Sequence, residues 1–255
     1  MIPTNSTIPY DSIPVATYAI IAACVAAFIY QVTLSGVAMD RFILENALVP
    51  ARYTNGAWAV EQGLARSDPL PFVTSMFLHG GVLHIVSNLW TLWVFGPALE
   101  DRLGSARFIL LYFAAGLAAG AVHFLFNFTS TVPTLGASGA IAGIVAGYVT
   151  RFPYAWLNVL QPIGFVPLFF YIPAIVFAGL WFAAQVLSVT GSLMMPAEGG
   201  GVAWWAHIGG FLVGWLLLPR LAPAGEPARE HEAAMRSTLW PWLQWQRWVF
   251  WWWRR

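Results

Sequence analysis

No aspartate or glutamate occurs between Asp101 and Glu198, and across that whole stretch the only formal charges are Arg102, Arg107 and Arg151. Soluble domains carry roughly 25% charged residues. This chain has 9% charged and 59% hydrophobic residues, which places it in the membrane class. All of its cations are arginine and the net charge is +1, so it offers no basic surface for nucleic acid. The single cysteine, Cys24, lies inside the first apolar run and reads as a small core thiol, with no intramolecular disulfide open to it.

A bilayer core of about 30 Å needs about 20 apolar helical residues, and fewer where protein shelters the segment. On that ruler six helical spans are expected: 15–35, 76–99, 106–127, 136–150, 165–188 and 202–219. The fourth is short. The first fourteen residues contain no lysine or arginine and the run after them exceeds a signal-peptide core, so the first run reads as an uncleaved span. The expected organisation is a cytoplasmic N-terminal tail over 1–14, one membrane domain over 15–220 and a cytoplasmic tail over 221–255. That last tail ends in a Trp/Arg-rich segment suited to the membrane interface.

Arginines near span ends orient the bundle. With both termini inside, Arg102, Arg107, Arg151, Arg220, Arg229, Arg236, Arg247, Arg254 and Arg255 are cytoplasmic, whereas Arg41, Arg52 and Arg66 lie outside in the first loop. That loop, from 36 to 75, is long enough to carry structure of its own. Short amphipathic helices at the outer interface are expected there.

Polar residues inside spans mark functional sites. Ser138 precedes Arg151 by the same interval as His207 precedes Arg220, and Asn88 stands one residue further from Arg102. At 1.5 Å per helical residue, all three sit about 20 Å above the cytoplasmic boundary. Lateral proximity has its own signal. Gly139, Gly143 and Gly147 recur at intervals of four on one span, as do Ala206, Gly210 and Gly214 on another, and small residues so spaced let helices approach closely. A serine and a histidine flanking such a contact suit a nucleophile and its base. His84 and Asn88, at i and i+4, share a helix face. With the Ser138 amide they could supply an oxyanion hole.

Blander roles compete. Ser138 between glycines could be a packing residue, and His84 with Asn88 could bridge helices by hydrogen bonds. His79 and His123 read as structural. Glu100 and Arg102 are expected to form an ion pair at the inner boundary. With no acid near His207 in sequence, serine chemistry would run on a dyad rather than a triad. A zinc protease would need HExxH, and the chain has only His231-Glu232 followed by Ala233, Ala234 and Met235. The hydrolase elbow GxSxG is broken by Ala140. A transporter would be favoured by inverted repeats with broken helices.

The segments FLHGGVLHIVSNLWTLWVFGPALEDRLGS, GASGAIAG and AHIGGFLVG closely resemble the rhomboid intramembrane serine proteases over residues 1–220. The resemblance implies an all-α membrane protein: a six-helix rhomboid bundle with a long outer first loop, in the plasma (inner) membrane with both termini inside. It implies Ser138 as nucleophile, His207 as general base, and His84, Asn88 and the Ser138 amide as oxyanion stabilisers. Gly136 and Gly139 would shape the serine turn. Substrates would be single-span membrane proteins cut near the outer end of the span, with no cofactor or metal. A non-enzymatic relative that escorts transmembrane helices is the rival class. Two positions depart from the family pattern. An aromatic ring that stacks on the histidine in some members is replaced by Ala142, so Trp204 or Trp205 would orient His207. Where members often carry a Trp-Arg pair, this chain has DPLPF.

Overall fold

Six apolar runs need not make six alike helices, and here they do not. The computed structural model describes residues 1–194 and 204–222, so nearly all of the tail assigned to 221–255 lies outside the described residues. The long helices are α1 (Val15–Thr33), α6 (Val82–Leu103), α7 (Ser105–Phe126), α8 (Ser138–Arg151), α9 (Ala174–Met194) and α10 (Trp204–Leu221). By length and composition α1, α6 and α7 are each sufficient to cross a membrane. Both α6 and α7 run to 22 residues, about 33 Å at 1.5 Å per residue. Gly104 joins them, and its φ of 77° permits the sharp reversal.

Between α1 and α6 lie four short helices, α2 (Val37–Asn46), α3 (Ala51–Thr54), α4 (Gly56–Glu61) and α5 (Pro71–Thr74), followed by a 3-10 turn over Ser75–Phe77. The second expected span therefore begins at Val82 rather than at 76, because Pro71 starts a separate turn. Arg52 of α3 holds this region together. Only 3% exposed, it donates from Nε to the Ala65 carbonyl (2.8 Å), from Nη1 to the Glu45 carbonyl (2.9 Å) and from Nη2 to the Asp68 carboxylate (2.9 Å). Asp68 opens the DPLPF segment, so this loop has an anchor of its own where a Trp-Arg pair is missing.

Two expectations are corrected. A three-stranded antiparallel sheet, in order β1 (Ile2–Ser6), β2 (Trp156–Ile163) and β3 (Val166–Pro173), stands beside the helices, so the fold is mostly helical rather than all-α. Residues Ile2–Ser6, within the expected N-terminal tail, form the first strand. Trp90 Nε1 donates to the Pro3 carbonyl at 2.6 Å, and Ser6 shares a hydrogen bond with the Tyr148 hydroxyl. The fifth expected span, 165–188, is a strand up to Pro173 and a helix only from Ala174. Gly164, with φ of 60°, turns the chain between Ile163 and Val166. Prolines at 162, 167 and 173 and the aromatic run Phe169-Phe170-Tyr171 favour extended backbone over helix. Apolarity alone cannot distinguish the two.

The second correction concerns Glu100. Residues i and i+2 of a helix point apart, and Arg102 pairs with Asp101 rather than Glu100. Glu100, only 2% exposed, instead caps α1. Its carboxylate accepts from Ala16 N (2.8 Å), Thr17 N (2.7 Å) and Thr17 Oγ1 (2.7 Å), and from Ser105 Oγ (2.6 Å). A negative group at a helix N-terminus satisfies otherwise orphaned N–H donors and complements the helix dipole.

Candidate active site

The turn before α8 is held first by backbone hydrogen bonds. Thr134 and Leu48 exchange two hydrogen bonds, at 2.9 and 2.8 Å, and Gly136 N donates to the Ser75 carbonyl at 2.8 Å. Gly136 has φ of 128°, a conformation that side chains rarely adopt. It also has no room for one. A Cβ there would lie 2.7 Å from His84 Nε2 and 3.7 Å from Asn88 Nδ2. The imidazole and the amide of α6 are therefore seated against the turn, two residues before Ser138.

Their polarity follows from their neighbours. Gly80 N donates to His84 Nδ1 at 3.2 Å. In a neutral ring the proton is then on Nε2, the nitrogen nearest Gly136. Asn88 is buried, and its Nδ2 has no partner among the described residues. Two N–H donors thus face the start of α8, and that of Asn88 is buried without an acceptor among the described residues. Since a buried unpaired donor costs about 1–3 kcal/mol, such a group calls for an acceptor. His79 supports this arrangement. Its backbone is clamped by the Gln31 side chain through bonds of 3.1 and 3.0 Å, and its ring packs edge-on against His84 with centroids 5.1 Å apart. His123 Nε2 meets Thr134 Oγ1 at 2.7 Å, tying α7 to the same turn.

Ser138 is the first residue of α8 and is half-buried. Beyond it the helix packs backbone to backbone against α10. A Cβ at Gly210 would lie 1.9 Å from the Gly139 carbonyl oxygen, and one at Gly214 would lie 2.2 Å from that of Gly143. From α7, Ala119 and Ala115 close the other side, with their Cβ atoms 2.5 and 2.2 Å from the Cβ positions of Gly139 and Gly143. The two small-residue stripes face each other, and only glycine fits the seam. Gly139 follows Ser138, and Ala206, which precedes His207, is in van der Waals contact with it.

His207 is buried. No hydrogen bond joins it to Ser138 in this structure; its Nδ1 meets Gln185 Oε1 of α9 at 2.7 Å. Among the two tryptophans considered for orienting it, Trp205 stacks instead on Phe126 at 3.7 Å, while Trp204 stands edge-on at 6.1 Å. Trp181 of α9 lies at 5.7 Å. Gln185 escaped the sequence reading, which sought an acid for this role. The available signal was an amide within the apolar run that opens α9.

Comparison with known proteins places these features. The Rhomboid domain model matches residues 66–223. The chain belongs to the rhomboid family. Over 94 residues it is 37% identical to Presenilin-associated rhomboid-like protein A, mitochondrial, of Danio rerio, covering 36% of this chain and 24% of that protein. It is 40% identical over 80 residues to Rhomboid protease GluP of Bacillus subtilis, covering 31% of this chain and 15% of that one. The human Presenilin-associated rhomboid-like protein, mitochondrial, is 29% identical over 146 residues, covering 56% of this chain and 36% of its own length. The matched stretches thus span well under half of each relative. The family match and the apolar helices together make this an integral membrane protein.

Proposed function

We propose that this rhomboid is an intramembrane serine endopeptidase that cleaves single-span membrane proteins near the outer end of their transmembrane segments, with Ser138 as nucleophile and His207 as base. The observation that carries this reading is the glycine seam of α8 and α10, which has Ser138 at one edge and His207 at the other. In the reaction, His207 Nε2 takes the Ser138 hydroxyl proton as Oγ attacks the substrate carbonyl carbon. The resulting oxyanion accepts hydrogen bonds from His84 Nε2–H, Asn88 Nδ2–H and the Ser138 backbone N–H. Collapse expels the amine, which receives the proton from His207. Water, deprotonated by His207, then attacks the acyl ester and frees Ser138. No hydrogen bond preset between the pair is required, since apo enzymes commonly close that distance on substrate binding.

Six spans with both termini inside, as the arginine distribution favours, would open the Ser138 end of α8 to water from the outer side. The plasma (inner) membrane is the compartment this topology fits best. The test is cleavage of a transmembrane substrate in liposomes, with labelling by a fluorophosphonate probe. Wild type should cleave and be labelled, whereas Ser138→Ala and His207→Ala should lose at least about 10³-fold in rate. Equal cleavage by all three would overturn the assignment. Binding of the substrate helix without cleavage or labelling in any of them would favour an escort of transmembrane helices instead.

A further inference from the structure

We infer that Gln185 is the third member of the catalytic group, a positioning residue that sets the tautomer and orientation of His207; this rests on the dyad reading above. The amide of Gln185 is fixed at both ends. Its Nε2 donates to the Trp181 carbonyl one helical turn earlier, at 3.3 Å, and its Oε1 lies 2.7 Å from His207 Nδ1. Reversing the amide would set two oxygens against each other at Trp181, so the end facing the histidine is an acceptor. An acceptor at Nδ1 requires Nδ1–H. In a neutral imidazole that leaves the lone pair on Nε2, the form a general base needs.

Burial makes the bond matter. Gln185 is 6% and His207 7% exposed, so no water competes for either group, and each partner would be left orphaned without the other. The ring also lacks a stacking partner on α8, where Ala142 is buried with no ring to offer. Helix α9 supplies two neighbours of the imidazole, with Trp181 tilted 36° to the ring at 5.7 Å and Gln185 at Nδ1. The chain has no acid between Asp101 and Glu198 to place there. A neutral amide does the tautomer-setting part of that work at a much smaller desolvation cost than a buried carboxylate.

Two variants test this in the full-length protein in liposomes. Gln185→Leu removes the acceptor while keeping a comparable apolar body. Gln185→Glu keeps an acceptor for Nδ1–H and, as the neutral carboxyl, an O–H donor for the Trp181 carbonyl. The readouts are kcat and KM on the transmembrane substrate, the rate of Ser138 labelling by a fluorophosphonate, and the melting temperature. The expected result is a fall in kcat and labelling rate of about 10²-fold in Gln185→Leu, the low end of general-base assistance, with KM held and the melting temperature lowered because His207 Nδ1–H loses its acceptor. Gln185→Glu should recover most of that loss. Because Gln185→Leu is expected to melt early, the Glu variant decides: activity near wild type supports the role, and loss equal to that of Leu overturns it. An unchanged kcat in Gln185→Leu also overturns it, as does a change confined to KM. If instead wild type itself neither cleaves nor labels at Ser138, the dyad reading has failed, a result distinct from any of these.

Discussion

Helices α8 and α9 both approach His207, yet they are built on opposite terms. Every residue of α8 from Gly139 to Val149 is buried, and its Gly139 and Gly143 meet the backbone of α10 and the alanines of α7. Helix α9 shows Ile175, Val176, Leu180 and Leu187 at its surface and meets the site through Trp181 and Gln185. One helix is placed by shape on every side, the other by one apolar face and a polar bond, with its opposite face exposed. In lipid there is no hydrophobic force to press helices together, so close packing and hydrogen bonds must do it. That is why α8 can be short, since protein rather than bilayer surrounds it. It is also why a single amide on α9 can matter more than its many leucines.

Substitutions in the helices packed around α8 and on the outer face of α9 should separate these terms. The largest effect is expected from Gly210→Val. The new Cβ meets the Gly139 carbonyl oxygen at 1.9 Å, and backbone cannot step aside. The seam must open, at a cost of at least about 3 kcal/mol, seen as loss of monodisperse protein and of thermal stability in detergent. Gly116→Ala on α7 should cost less, about 1 kcal/mol, although its Cβ falls 2.1 Å from an atom. That atom is the terminal Cε of Met76, a flexible side chain that can turn away. A melting shift as large as that of Gly210→Val would show the seam to be rigid on the side-chain side too. Smallest of all is Leu180→Ala on α9. The residue is 52% exposed, and stability should stay within about 0.5 kcal/mol of wild type in a thermal melt. A large loss there would mean that the outer face of α9 is packed against protein, and the contrast with α8 would break.

Much of the helical frame was legible from the chain. Runs such as 15–35 and 106–127 are apolar, uninterrupted and close to bilayer length, and they fold as α1 and α7. The 165–173 stretch misled because hydropathy measures transfer and not backbone shape. There Gly164 and three prolines turn an apolar run into β3 and its hairpin. At the site, the glycine periodicity names the faces of α8 and α10 that meet. Glu100 shows the limit of local reasoning. Its sequence neighbour Arg102 is a plausible mate, yet its partners are the N–H groups of α1, more than eighty residues earlier.

By itself, then, the sequence determined that this chain lives in a membrane and where most of its long helices run, because composition and periodicity act through local physics. Only the tertiary structure decided what each polar group touches. His84 presents its Nε2 proton because Gly80 N occupies Nδ1, Arg52 holds the first loop because three acceptors converge on it, and Gln185 reaches His207 because α9 and α10 come side by side. Hydrogen bonds between distant residues depend on a few tenths of an ångström of helix placement, and that placement is set by the packing of the whole bundle.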